Sequence, residues 1–275
     1  MRFALIGGSG GLGSILADHL LVHGHGVRCW SRSAERSLDV LDPHPPDDAF
    51  DADHVVYLAW STTDRSPRVQ GQHADAAVRW SRTAKERGVP FVFASTVLAS
   101  RSAGSEYGRA KFLAEQGIRD HDGRNVRVGL VIDDGYPELL ASRLRGLAKR
   151  APWASRIGSW PVLPIAGETA ARILVEECLS GASRAVPVLA AERSPIPLAT
   201  IMSGESQTSG AHWASRALTG LAGRYPTSRG TIGRHVDALR GLALAEPDLE
   251  GVRDPISGRV PAEDWRRGIF ANVSG

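Results

Sequence analysis

The sequence predicts an α/β fold built on a doubly wound parallel sheet, and two observations carry that prediction. Short apolar runs alternate along the chain with segments that repeat apolar residues at helical spacing, which is the order typical of parallel strands joined by crossover helices. A glycine-rich turn, residues 7–13, lies between the first apolar run and the first helical segment. A strand, a glycine turn and a helix in this order are typical of a dinucleotide-binding unit.

The glycine turn repeats glycine at every third position, as Gly7, Gly10 and Gly13. Glycine permits positive backbone angles and lets a phosphate approach the main chain, while the free N–H groups of the following helix attract negative charge. The triphosphatase loop is excluded, because Ser14 stands where that motif needs a lysine. The candidate cofactor contacts here are Gly7, Ser9, Gly10, Gly11, Leu12 and Gly13. The alternative is a plain glycine turn before a surface helix.

The second strand, predicted over residues 27–31, ends where the adenosine ribose of a dinucleotide would lie. An acidic residue there binds the 2′-hydroxyl of NAD, whereas arginine accommodates the 2′-phosphate of NADP. This chain has Ser31 and Arg32 at that point and no acidic residue before Glu35. The sequence therefore favours NADP over NAD, with Ser31 and Arg32 as candidate cofactor contacts.

Further apolar runs and the polar segments between them define the rest of the sheet. We predict a short third strand at 38–41, a loop at 42–51, a fourth strand at 54–59, a helix at 70–87 and a fifth strand at 91–94. Ser95 and Thr96 follow the fifth strand. Ligands bind beyond the carboxyl ends of parallel strands, so we expect both hydroxyls close to the glycine turn.

Tyr107 and Lys111 stand four residues apart in a helix predicted to begin near residue 107, so they share one face of that helix. A nearby ammonium group favours the phenolate and lowers the pKa of a tyrosine. A tyrosine tuned in this way can exchange a proton with a carbonyl or an alcohol. The alternative is a chance pairing of the two residues.

Together these motifs resemble the extended short-chain dehydrogenase/reductase family, also called the NAD-dependent epimerase/dehydratase family. The resemblance covers residues 1–190 and is carried by the glycine turn, by two strands and by Tyr107-x-x-x-Lys111 with Glu115 after it. It is weaker further on, where Glu168-Thr169-Ala170 stands near the family's Asp-Val-Ala. The matching segments are 7–13, 53–59, 91–96, 107–115, 126–131 and 165–179.

The resemblance implies roles for the matching residues. Tyr107 would be the general acid/base, and Lys111 would lower the pKa of Tyr107 and hydrogen-bond the nicotinamide ribose. Thr96 would hold the reacting oxygen, with Ser95 as the less favoured candidate. The remaining implied cofactor contacts lie at the end of the fourth strand and are Leu58 and Ala59.

Three departures from the family pattern bear on the substrate. Ten residues separate Thr96 from Tyr107, where extended members have a longer loop that often touches the substrate. Val97 and Leu98 follow Thr96 where the family's dehydratases have an Asp-Glu pair, which argues against dehydration. Gln72 takes the place of an asparagine that is frequent in the family.

The resemblance also divides the chain into two parts. A dinucleotide-binding Rossmann domain is predicted over residues 1–132 and 166–191, and a small discontinuous substrate lobe over 133–165 and 192–275. We predict helices at 139–150, 166–179, 212–221 and 232–244, a sixth strand at 126–131 and a seventh at 185–190.

Composition excludes several other classes of protein. The 275 residues are 42% hydrophobic and 23% charged, with a net charge of +3 and no block of like charges, which argues against nucleic-acid binding. No apolar run approaches the ~20 residues that span a bilayer. Two distant cysteines and nine histidines lack metal-ligand spacing. We expect a cytoplasmic protein, because the first strand starts at Arg2 and leaves no room for a signal peptide.

The function predicted from the sequence is an NADP(H)-dependent oxidoreductase that reduces a carbonyl, or oxidises an alcohol, of a small polar substrate, with a sugar nucleotide as a candidate. One alternative is a sugar-nucleotide epimerase that retains NAD(P). Another is a regulator that senses NADP without chemistry. The resemblance also implies a homodimer, formed through the helix after the fourth strand and the helix that carries Tyr107 and Lys111.

Overall fold

The computed structural model describes residues 1–34, 36–150, 161–180, 186–192 and 195–203. Glu35, the helices predicted at 212–221 and 232–244 and much of the predicted substrate lobe lie outside the described residues. Within the described ranges, no helix combines the length and the apolar character that crossing a membrane requires.

Strands and helices alternate along the described chain. The strands are β1 Arg2–Ile6, β2 Gly26–Ser31, β3 Arg36–Ser37, β4 His54–Tyr57, β5 Phe91–Thr96, β6 Arg124–Val128, β7 Leu130–Ile132, β8 Pro161–Val162, β9 Pro164–Ala166, β10 Val188–Ala190 and β11 Ile196–Pro197. The helices are α1 Gly11–Val22, α2 Pro67–Glu86, α3 Glu106–Asp120, α4 Leu140–Arg150, α5 Gly167–Leu179 and α6 Leu198–Ser203, with a 3-10 helix at Asp47–Phe50.

Seven strands form one parallel sheet in the order β10-β6-β5-β4-β1-β2-β3. Alternate residues of each central strand enter different cores. Phe3, Leu5 and Val56 pack with α1 and α5, whereas Ala4 and Tyr57 pack with α2 and α3. Burial on both faces explains why these strands are continuous apolar runs. The predicted doubly wound parallel sheet is confirmed.

The direction in which the sheet is wound reverses at β1. Its neighbours are β2 on one side and β4 on the other, so the loops that follow β1 and β4 diverge and leave a crevice at their carboxyl ends. Gly7 and Leu58 follow these two strands directly, and the Leu58 N–H donates to Ile6 O at 2.7 Å. The glycine turn therefore lies at the topological switch point, where open α/β sheets bind ligands.

The third strand is not where the apolar pattern predicted it. β3 is Arg36–Ser37, paired with the end of β2, and the prediction of a strand at 38–41 is wrong. Leu38 and Val40 are buried against the α2 side of the sheet, but they reach that core from a loop. Burial alone produced the strand-like pattern. The predicted loop at 42–51 also contains the 3-10 helix, which buries Ala49 and Phe50.

The predicted sixth strand is divided in two. β6 ends at Val128 and β7 begins at Leu130, so the prediction of one strand over 126–131 is wrong. Gly129 lies between them, where a Cβ atom would contact Leu163 O and lie 2.7 Å from the Ala191 Cβ. β6 stays in the main sheet, whereas β7 pairs with β9. At the point where the chain passes from one sheet to the other, the neighbouring segments thus leave no room for a side chain.

A separate apolar cluster lies beyond this break. It joins β7, α4, β8 and α6 through Ile132, Leu144, Val162, Leu198 and Ile201. Its members fall on both sides of the predicted boundary at residue 133, and the division into a Rossmann domain and a substrate lobe stays a prediction.

Candidate active site

Backbone packing requires glycine at two positions of the glycine turn. Gly7 has a φ of +92°, and a Cβ atom on it would lie 2.6 Å from the Ala59 nitrogen. A Cβ atom on Gly13 would lie 2.6 Å from Gly7 O and 2.7 Å from the Gly8 Cα. These contacts join the start of α1 to the ends of β1 and β4. Gly7 and Gly13 therefore set the shape of the turn.

Gly10 has a different environment. A Cβ atom there would meet only Gly7 O, at 3.4 Å. Gly10 is also the N-cap of α1, and neither a side-chain cap nor an acidic residue in the first turn neutralises that helix end. The N–H groups of a first helical turn have no partner within the helix. An open glycine before an uncapped helix end suits a phosphate group, so this turn fits the pyrophosphate of a dinucleotide.

Three serines form a cluster at the end of β2. The Ser9 hydroxyl lies 2.6 Å from the Ser31 hydroxyl and 3.0 Å from the Ser33 hydroxyl, and the Ser33 N–H donates to Ser31 Oγ at 3.3 Å. Arg32 is exposed beside them. The structure thus brings the predicted Ser9, Ser31 and Arg32 together. It adds Ser33, whose position two residues after Ser31 was the available sequence signal.

Thr96 and Tyr107 meet at the carboxyl end of β5. Tyr107 lies in the first turn of α3, where the Ser105 side chain accepts the Gly108 N–H at 3.1 Å. The Thr96 side chain lies close enough to the Tyr107 phenol to act on its pKa, and the Thr96 hydroxyl accepts the Leu98 N–H at 3.3 Å. Among the described residues, the buried Ser95 hydroxyl has no hydrogen-bond partner. The structure therefore places Thr96 beside the Tyr107 phenol, whereas Ser95 makes no such contact.

Lys111 is buried and turned toward the sheet. Its Nζ donates to Ala94 O at 2.7 Å and lies 4.1 Å from the ring centroid of Trp60 and 4.4 Å from that of Phe93. The Tyr107 ring centroid is 5.9 Å away. Burial of the ammonium group lowers the pKa of Lys111 to about 7, against the opposing effect of the Glu115 carboxylate. The helix spacing thus brought Lys111 near Tyr107, but not into a direct hydrogen bond with it.

The pKa of Tyr107 also differs from the prediction. Burial raises the pKa of Tyr107, while the positive charge of Arg65 and the neighbouring Thr96 side chain act in the opposite direction. The Arg65 guanidinium carbon lies 5.8 Å from the centroid of the Tyr107 ring. The predicted lowering of the Tyr107 pKa by Lys111 is therefore not what the free protein has. The general acid/base role of Tyr107 stays a prediction.

Trp60 is a site residue that the motif comparison missed. Its ring stacks on His73 at 5.6 Å and meets the Tyr107 ring edge-on at 6.3 Å. The Trp60 Nε1–H donates to Gln70 Oε1 at 2.7 Å, and Gln70 is buried. An aromatic residue directly after Leu58-Ala59 was the sequence signal.

The side-chain amide of Gln70 holds the loop before α2 in place. Gln72, which the sequence placed at the family's asparagine position, is exposed on the outer side of α2. The Gln70 Nε2 group donates to Ser61 O at 3.1 Å and to Asp64 O at 2.5 Å. α2 begins three residues before the predicted start, with Pro67 as its first residue and the Ser66 hydroxyl accepting the Val69 N–H. This earlier start brings Gln70 over the loop.

A buried ion pair ties the Tyr107 helix to the sheet. The Arg127 Nε donates to Glu115 Oε1 at 3.0 Å, and another guanidinium nitrogen donates to Oε2 at 2.8 Å. The Glu115 and Arg127 side chains are 0% and 6% exposed. This pair joins α3 to β6 and so holds the face that carries Tyr107 and Lys111 against the end of β5.

Replacing Glu115 by alanine is expected to lower the free energy of unfolding by about 3–5 kcal/mol, because Arg127 would keep a buried charge without its carboxylate. Urea denaturation measures the effect. The matched control is Glu176→Ala, which removes an exposed helix pair with Arg172 and should cost less than about 1 kcal/mol. Equal losses in both variants would contradict an anchoring role for Glu115.

No family model matches this chain, and neither does any curated protein. Solved structures do match it. A UDP-galactose 4-epimerase is 17% identical with a TM-score of 0.61, over 88% of this chain and 97% of its own. The Bordetella bronchiseptica enzyme WbmG, in complex with NAD, is 16% identical with a TM-score of 0.62, over 77% and 82%. The dTDP-4-dehydrorhamnose reductase of Yersinia enterocolitica is 15% identical with a TM-score of 0.58, over 72% and 76%.

The chain has the fold of the extended short-chain dehydrogenase/reductase enzymes. At these identities the likeness concerns the fold, and it confirms the architecture that the glycine turn and the alternating strands and helices predicted. The chemistry of a site depends on its own residues and not on the fold.

Proposed function

We propose that the protein is a nicotinamide-dinucleotide-dependent oxidoreductase acting on a carbonyl or alcohol of a small polar substrate. The observation that carries the proposal is the Thr96–Tyr107 pair at the carboxyl end of β5. It lies on the same edge of the sheet as the glycine turn at the switch point. A proton-exchanging phenol beside a nucleotide crevice suits a reaction that moves a hydride and a proton together.

The cofactor would be held by the glycine turn and the end of β2. When bound, its nicotinamide ring supplies or accepts the hydride. The Ser9, Ser31 and Ser33 hydroxyls and the exposed Arg32 suit the anionic 2′-phosphate of NADP. A carboxylate for an unmodified ribose is absent from residues 31–34. We therefore infer that NADP(H) is preferred, although WbmG was solved in complex with NAD.

The protein's own residues would handle the oxygen of the substrate. In the reduction, the Tyr107 phenol donates its proton to the carbonyl oxygen, and the Thr96 hydroxyl hydrogen-bonds the same oxygen. In the oxidation, Tyr107 accepts the proton. Ser95 is the weaker candidate for the Thr96 role, because its hydroxyl is buried and, among the described residues, has no hydrogen-bond partner. Lys111 donates one N–H to Ala94 O, and a second N–H of its amino group would hydrogen-bond the ribose.

A sugar nucleotide is the substrate class that the fold relatives suggest. Their names include a UDP-galactose 4-epimerase, a UDP-N-acetylglucosamine 4-epimerase from Bacillus cereus and a dTDP-4-dehydrorhamnose reductase. These names also keep an epimerase that retains its cofactor as a second candidate. The serine cluster with Arg32 suits NADP and so favours the reductase, because epimerases of the family that the sequence resembles usually hold NAD. A regulator without chemistry would have no use for the Thr96–Tyr107 pair.

Titration with NADPH and with NADH, followed by nicotinamide fluorescence, tests the cofactor preference. We expect NADPH to bind more tightly, and Arg32→Ala to weaken NADPH binding by about 10–100-fold with little effect on NADH, since a hydrogen bond to a charged group contributes about 1.5–3 kcal/mol. The matched control is Arg82→Ala, on an exposed position of α2. Equal binding of both dinucleotides would overturn the NADP assignment, and binding of neither would overturn the function.

A further inference from the structure

We propose that Arg65 is a second basic residue of the candidate active site, which supports the phenolate form of Tyr107 by lying across the phenol ring. The guanidinium carbon lies 5.8 Å from the ring centroid, within the range of a cation–π contact. A role for Arg65 in catalysis rests on the proposed function. Its effect on the ionisation of Tyr107 does not, because the ionisation of one phenol can be measured without cofactor or substrate.

The loop that carries Arg65 is held in place on both sides of it. The Asp64 N–H donates to Ser61 Oγ at 3.1 Å, and the Ser66 N–H donates to Asp64 Oδ1 at 2.9 Å. Gln70, from the first turns of α2, donates to Ser61 O and Asp64 O. The residues on either side of Arg65 are therefore fixed by hydrogen bonds, and its side chain leaves an ordered backbone. The Arg65 side chain is itself tied to this loop, because its Nε donates to Thr62 O at 3.4 Å.

Lys111 is less suited to support the phenolate in the free protein. Its Nζ is bonded to Ala94 O and packed between the Trp60 and Phe93 rings. Its pKa is lowered to about 7, so the side chain is mostly neutral at the higher pH where a buried phenol ionises. A guanidinium stays charged throughout that range. At the pH where Tyr107 loses its proton, the neighbour that stays charged among the described residues is Arg65.

Among the described residues, the other titratable groups around the phenol are paired or neutral, while Arg65, whose Nε donates to the uncharged Thr62 O at 3.4 Å, keeps its charge. Asp64 accepts the Ser66 N–H, and Glu106, next to Tyr107 on α3, pairs with Arg109. His73 faces the site from α2 through the Trp60 ring, and burial lowers its pKa, so it is neutral at high pH. β5 contributes the Thr96 hydroxyl, which is not charged. The electrostatic support for the phenolate thus comes from the loop before α2.

The test is a titration of the Tyr107 phenol in the free protein. Phenolate absorbance in the near ultraviolet is read immediately after a jump to high pH, before the chain unfolds. Subtracting the same curve for Tyr107→Phe isolates this phenol from the other three tyrosines. The titration is repeated in Arg65→Met, which removes the charge, in Arg65→Lys, which keeps a charge, and in Lys111→Met. Arg68→Met, at an exposed site three residues along the chain, is the matched control.

We expect Arg65→Met to move the Tyr107 midpoint upward by about one pH unit, as for loss of a unit charge near a partly buried group. Arg65→Lys should restore most of the shift, and Lys111→Met and Arg68→Met should move the midpoint much less. An unchanged midpoint in Arg65→Met, or a larger shift in Lys111→Met, would overturn the proposal. The titration uses neither cofactor nor substrate, so its result does not depend on enzyme activity. A lack of activity would count against the proposed function but not against the effect of Arg65 on Tyr107.

Discussion

Replacing Tyr107 by phenylalanine is expected to reduce the rate of NADPH-dependent carbonyl reduction by about 10²–10⁴-fold, the usual contribution of a positioned general acid. The substitution removes the hydroxyl beside Thr96 and keeps the ring against Trp60 and beneath Arg65. The measurement is kcat on a keto sugar nucleotide found by screening. NADPH binding by the same variant should change little, because the glycine turn and the serine cluster remain.

Thr96→Val and Ser95→Ala extend this test. Thr96→Val removes the hydroxyl that lies with Tyr107, and we expect it to lower kcat by about 10²-fold, as for loss of one donor to a developing oxyanion. Ser95→Ala removes a buried hydroxyl that has no hydrogen-bond partner in the described part of the chain and should leave kcat nearly unchanged. A large loss in Ser95→Ala with retained activity in Thr96→Val would reverse the assignment. Full activity in Tyr107→Phe would end the acid/base role.

Alanine at Gly10 and at Gly13 is expected to separate cofactor binding from folding. At Gly10 the added methyl group meets only Gly7 O at 3.4 Å, so the fold should tolerate it while the phosphate loses its approach to the α1 end. Loss of one or two charge-assisted hydrogen bonds would raise the dinucleotide Kd by about 10–1,000-fold. At Gly13 the methyl group would lie 2.6–2.7 Å from the backbone of Gly7 and Gly8, so both binding and stability should be lost.

The control for this pair is Gly71→Ala. Gly71 lies inside α2, and no atom comes within 4 Å of an added Cβ atom. Alanine should therefore stabilise the helix by up to about 1 kcal/mol and leave dinucleotide binding intact. Dinucleotide fluorescence titration and urea denaturation are measured on all three variants. Normal dinucleotide binding by Gly10→Ala would contradict the phosphate position proposed for the glycine turn.

The parallel sheet and the glycine turn could be predicted from sequence because both depend on local patterns. Strands buried on both faces must be apolar throughout, and Val55-Val56-Tyr57 and Phe91-Val92-Phe93 are apolar runs of that kind. The tight turn at Gly7 and Gly13 leaves no room for a side chain. The four-residue spacing of Tyr107 and Lys111 likewise sets their shared helix face. In each case residues close in sequence carry the whole physical requirement.

Apolar character was a poorer guide where burial did not involve a strand. Leu38 and Val40 are as buried as strand residues, yet they belong to the loop between β3 and the 3-10 helix. Gly129 lies at the break of the predicted sixth strand, and Leu163 and Ala191, which lie against it, are distant in sequence. A local pattern indicates that a residue is buried, but it does not identify the segment that covers it.

The sequence by itself determined the parallel sheet, the glycine turn and the shared helix face of Tyr107 and Lys111. Only the tertiary structure decided the electrostatics of the candidate site. It turned Lys111 toward Ala94 O between two aromatic rings and brought Arg65 over the phenol. The physical reason is that a charged group responds to burial and to every neighbouring dipole and charge. Here those neighbours come from β5, α3 and the loop before α2, which only the folded chain brings together.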